Sequence, residues 1–165
     1  MVDAKSLASL SELASAFNSA SDNLNKSIQK LNKQLAAMNI GLEFYLGDPS
    51  FDDGDDRPLI ASGKLYNNDT SPPSTYEVKK YLGWDKLGDE WQLAIKTVTV
   101  DHLWNDETRE VEPVSDLTYK TLLRSSRETR LKAVDSIDDL IRGLESYVLE
   151  NLQRVEKMAE LAKPK

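Results

Sequence analysis

Any chemistry this chain performs has to come from carboxylates, hydroxyls and one imidazole. The sequence holds a single histidine and no cysteine. Thiol–imidazole catalysis, ordinary zinc sites, disulfides and iron–sulfur clusters are therefore excluded. His102 stands between Asp101 and Leu103-Trp104, at the end of the most strand-like run of the chain. As a general base it would need a nucleophile within hydrogen-bond reach, and the plainer reading is an edge-strand or surface histidine. Asp48, Asp52, Asp53, Asp55 and Asp56 crowd oxygen ligands into one loop, as a Ca²⁺ or Mg²⁺ site requires. The twelve-residue calcium loop is not matched: no glutamate lies at the right distance beyond Gly54, and Pro58 interrupts. A solvated acidic loop is the favoured reading, with Asp52, Asp53, Asp55 and Asp56 as the metal candidates. Asp106, Glu107, Glu110 and Glu112 carry the same two readings, and paired carboxylates would also suit a small hydrolase. The seven glycines are scattered and form no phosphate-binding loop. No catalytic residue and no cofactor is expected.

The elements that must position these residues are legible in the periodicity. In the first forty residues, Leu7, Ala14, Ser21, Ile28 and Leu35 recur at heptad position a, with Leu10, Phe17, Leu24, Leu31 and Met38 at d. That seam predicts one long helix ending before Gly41, with Lys26, Lys30 and Lys33 on its outer face. At residue 39 the period changes. Leu42, Phe44 and Leu46 alternate with polar neighbours, 59–65 and 76–84 read as further strands, and 91–100 is rich in β-branched residues. About four strands in an antiparallel meander are predicted, with a hairpin across Gly88. Residues 101–115 are expected to be irregular, and 117–123 a helical or irregular lead-in. A capping box from Ser125 to Glu128 then opens a second helix over 126–162. On it Val134, Ile137, Ile141, Leu144, Val148, Val155 and Met158 form a second seam, beside the i,i+4 pairs Glu128–Lys132, Asp138–Arg142 and Glu150–Arg154. Nine of the twelve aromatic residues fall in the middle segment, Trp84, Trp91 and Trp104 among them. At strand spacing they read first as core and cross-strand pairs, and otherwise as the wall of a ligand groove.

The fold class is α+β in a single domain: a long helix over 1–39, an acidic β-meander over 40–116 and a helical segment over 117–165. Both apolar stripes are wider than a two-helix contact needs. The helices are accordingly expected to pack as an antiparallel pair or as a dimeric four-helix bundle. Leu10, Phe17, Leu24, Leu31, Ile141, Leu144 and Val148 are the expected contact residues.

Charge is distributed unevenly. The net charge of −7 breaks down into +1 for residues 1–39, −10 for 40–116 and +2 for 117–165. An acidic middle without a basic patch argues against nucleic acid as a partner. No run is long enough to span a membrane, and Met1 to Ser6 lacks the pattern of a signal peptide, so a cytoplasmic protein is expected. The function these features point to is a non-enzymatic interaction module, homodimeric through its helices and presenting an acidic sheet to a basic protein partner, as an inhibitor or immunity-like protein would. The alternatives are a small carboxylate- or metal-dependent hydrolase and a ligand-sensing domain.

Overall fold

The computed structural model describes residues 3–51, 56–65 and 75–163. Two long helices, α1 (Ala4–Ala37) and α2 (Arg127–Leu161), flank in sequence a five-stranded antiparallel sheet. Its strands are β1 (Phe44–Tyr45), β2 (Ile60–Leu65), β3 (Thr75–Leu87), β4 (Glu90–Asn105) and β5 (Glu110–Thr121). The sheet order is β1-β3-β4-β5, with β2 also pairing β3. A 3-10 turn, Leu122–Arg124, leads from β5 into α2.

The sheet is built on the β3–β4 hairpin, which turns across Gly88 (φ +70°) and stays in register from Leu87 opposite Glu90 to Thr75 opposite His102. At about 3.4 Å per residue the sixteen residues of β4 reach roughly 54 Å, so the sheet is far longer than a typical strand length allows. Residues 101–115, expected to be irregular, instead continue β4 to Asn105 and form the first half of β5. The reason is local. The Asn105 side chain accepts from the amides of Glu107 and Thr108, and Arg109 takes a positive φ of 57°, which closes a tight turn where the composition reads only as acidic. Pro113 is tolerated because β5 is an edge strand. Residues 117–121 likewise belong to β5 rather than to a helical lead-in, and the first strand shrinks to Phe44–Tyr45. The cap of α2 sits one residue later than expected: the Ser126 hydroxyl accepts from the amide of Thr129.

One face of the sheet carries the main core. Leu82 opposite Ile95 and Trp84 opposite Leu93 point toward the helices, where Ile28 and Leu35 of α1 and Ala133, Leu140 and Leu144 of α2 meet them with Phe44 and Leu122. Trp84 stacks on Trp91 at 6.2 Å, and Phe44 lies 5.4 Å from Tyr147, so these aromatics are core and cross-strand pairs. The side chain of Trp104 lies outside the described residues. Asn32 of α1 accepts the Leu93 amide at 2.8 Å, which fixes α1 beside β4. Gly143 stands within α2 where the ring of Phe44 presses against the helix; a Cβ there would stand 2.8 Å from Cζ of Phe44.

The helices do not form the expected antiparallel pair within the chain. Phe17 of α1 lies under the Arg127 guanidinium at the start of α2, 5.0 Å from ring to carbon. Leu31 to Met38 face Ile141 to Val148, about eighteen residues further along each helix. The two therefore run in the same direction, side by side over roughly 27 Å. The main neighbour of each is the sheet rather than the other helix.

Candidate interaction surface

Ser21 divides α1. From Ser21 onward the a positions Ser21, Ile28 and Leu35 are buried, Ile28 to 1% exposure, and Leu24 and Leu31 pack beside them. Before Ser21 the same seam faces solvent. Leu7, Leu10, Leu13 and Phe17 are all exposed, Leu10 at 62%. The heptad continues without a partner for nearly three turns, because α2 begins only at the level of Phe17.

The division in α2 is reversed. Its first half is anchored through Thr129, Ala133, Leu140 and Leu144. Its second half, from Leu149 to Leu161, buries nothing: Leu149, Leu152, Val155, Met158 and Leu161 are exposed, Val155 at 65%. A second apolar stripe also runs the length of α2, turned about a quarter-circle from the buried one at 100° per residue. It consists of Val134, Ile141, Val148, Leu152 and Val155, of which only Val148 is half-buried. The two helices thus overhang the core at opposite ends.

Between the end of α1 and the middle of α2 lies an open, almost wholly apolar groove of about 740 Å³. Leu31, Leu35 and Met38 form one wall and Ile141, Leu144 and Val148 the other, with Ile40 at the floor and Gln34 and Glu145 as its polar residues. Four of the seven expected contact residues, Leu31, Ile141, Leu144 and Val148, come together here. Leu24 supports the core beside it, Phe17 lies beneath Arg127, and Leu10 stands far off on the α1 overhang. Met38 and Leu152 are the residues the heptad reading undervalued. Met38 shares its seam with buried residues yet is exposed, and Leu152 falls between the positions of the α2 seam.

Among the described residues, no helix packs across the opposite face of the sheet. The chain after β1 crosses it as a strap, held by buried polar contacts. The Asp48 carboxylate accepts from Lys96 Nζ at 2.6 Å and from the Ser50 amide at 2.9 Å, and the Lys96 ammonium also lies 5.7 Å from the ring centres of Tyr45 and Phe51. Tyr45 donates to Asp85 at 2.7 Å across Gly83, whose missing side chain makes room for the Tyr45 ring. Further along, Asp56 accepts from Tyr81 at 2.5 Å and forms an ion pair with Lys79. These donors hold the Asp56 carboxyl below its ordinary range, the Asp56 carboxylate in turn raises Lys79, and burial, followed by the neighbouring carboxylates, raises Tyr45 and Tyr81. Of the metal candidates, Asp52, Asp53 and Asp55 lie outside the described residues, and both oxygens of Asp56 are engaged by Lys79 and Tyr81. Lys96, a cation within the most apolar strand, was the one sequence signal of this cluster.

The far end of the sheet is acidic. Glu107, Glu110, Glu112 and Asp116 are exposed around the β4–β5 turn, with Arg109 the basic residue among them. His102 sits half-buried in β4, opposite Thr75 and Pro113. Expected ion pairs Glu128–Lys132 and Glu150–Arg154 are formed on α2, while Arg142 meets Asp139 instead of Asp138. No helix among the described residues is long and apolar enough to cross a membrane. No protein-family model, no curated protein and no solved structure matches the chain.

Proposed function

We propose that this chain is a non-enzymatic protein–protein interaction module that self-associates through its long helices and presents its acidic sheet to a basic partner. The observation that carries this reading is the apolar exposure of both helices beyond the core, Leu7, Leu10 and Leu13 on one and Leu152, Val155 and Met158 on the other. An isolated exposed leucine is ordinary, whereas stripes of this length at regular helical spacing mark an interface. The acidic rim around Glu107, Glu110, Glu112 and Asp116 supports the second half of the reading, since it would steer a cationic partner and reject an anionic one. An inhibitor or immunity-like protein that masks a basic surface works in this way.

Solution mass by light scattering tests the self-association. The full chain should have twice the mass of one copy at micromolar concentration, and a variant cut back at residue 149 should move toward monomer. Cutting at residue 40 would be uninformative, because it removes Ile28 and Leu35 from the core. A full chain that stays monomeric at every concentration overturns the reading.

A further inference from the structure

The stripe that walls the groove does not end with it. Ile141 and Val148 line the groove, and Leu152 and Val155 continue the same line of α2 into solvent for two more turns. A surface that is groove at one end and protruding helix at the other is complementary to itself. Resting on the self-association proposed above, we infer that the occupant of the groove is the α2 tail of a second copy, in an isologous dimer whose twofold axis crosses α2 between Leu152 and Val155.

The lengths agree. From that axis to the groove residues Leu144 and Val148 is about seven residues, roughly 10 Å, and from the axis to Leu161 is about eight residues, roughly 12 Å. Antiparallel pairing about the axis therefore brings the Met158–Leu161 end of each tail level with the groove of the other copy. Parallel pairing would set each residue against its own number and leave both grooves open, so only the antiparallel arrangement fills them. The α1 overhang has no such receptacle, because among the described residues no second helix accompanies residues 4–16. Met38, Ile141, Leu152, Val155 and Met158 together expose on the order of 500 Å² of apolar side chain, and with the flanking Leu149 about 600 Å² per copy. Doubled, that is the size of a standard stable interface, whereas crystal-packing contacts are mostly smaller. The stripe is also free of like-charge conflict at its centre, since Glu150 and Arg154 pair with each other on the outer side of α2.

The chain contains no cysteine, so single cysteines report proximity directly. Leu152→Cys should cross-link to its own copy with a short bis-maleimide, and Leu10→Cys should not. Met38→Asp, on the groove wall contributed by α1, should weaken dimerisation at least tenfold while leaving the far-ultraviolet circular dichroism unchanged, as should Val155→Asp. Both residues are exposed, so neither change disturbs the core. A chain of dimer mass that cross-links through Leu10→Cys but not through Leu152→Cys overturns this arrangement and leaves self-association standing. So does a dimer indifferent to Met38→Asp. A monomer at every concentration overturns both.

Discussion

Replacing Lys96 by methionine isolates what the strap across the open sheet face depends on. The Asp48 carboxylate is 4% exposed and Lys96 8%, so the pair is effectively desolvated. Breaking a buried pair by removing one partner costs roughly 3–5 kcal/mol, because the remaining charge is stranded. Here the Ser50 amide still donates to Asp48, which places the expected cost of Lys96→Met near the lower end, about 3 kcal/mol. Asp48→Asn should cost less, about 2 kcal/mol, because Lys96 keeps the faces of Tyr45 and Phe51, each worth about 0.5–1 kcal/mol to a cation. The double variant removes both charges and should lie within about 1 kcal/mol of the starting protein, giving a coupling of roughly 4 kcal/mol. Urea denaturation of the four proteins measures the cycle, and in a thermal scan the Lys96→Met change should lower Tm by roughly 6–12 °C. If Lys96→Met costs less than about 1 kcal/mol, or if the two changes simply add, the pair is solvated in solution and the strap is held by something else.

Two further outcomes follow from the same face. Gly83→Ala should destabilise by more than about 2 kcal/mol, since the new Cβ would lie inside contact distance of the Tyr45 ring and 2.6 Å from the Phe44 carbonyl oxygen; a Tm within a few degrees of the parent would show that Tyr45 can move aside. The pH window of the strap has two edges. Asp56 is lowered, so its contribution is present above the ordinary 3.8 and lost as pH falls through its folded value. Lys79, Tyr45 and Tyr81 are raised, so their contributions are whole below the ordinary 10.5 and 10.0 and decline as pH climbs past those values. In an alkaline titration followed by tyrosinate absorbance, Tyr45 and Tyr81 should ionise in a cooperative step with unfolding. A single gradual curve for all tyrosines would refute their burial.

Much of the fold was legible because its signals are periodic. The α1 seam, the strand alternation on both sides of Gly88 and the Ser-rich entry to α2 each produced the element they predict. What stayed hidden depends on partners distant in sequence. Nothing near Glu110 announces that β5 will lie against β4, and composition there speaks only of charge. The direction of the helices was equally out of reach, since a heptad fixes which face is apolar but not what lies against it. Of the candidate surface, the residues were readable and their division was not. Leu10 and Ile28 belong to one seam in the sequence, yet the first stands in solvent and the second in the core. Ser21, the polar residue that seemed a flaw in the repeat, is itself buried and marks where the change occurs.

Because the helices point the same way and are offset, Ala4 and Leu161 lie on the order of 70 Å apart. A pull applied between them would load the core in shear. Ile28 and Leu35 would be dragged one way across the sheet and Leu140 and Leu144 the other, with all of these contacts resisting together. Helices joined as a hairpin would peel apart contact by contact under the same load. The offset thus places the α1 and α2 overhangs at opposite ends of the core, far apart from one another.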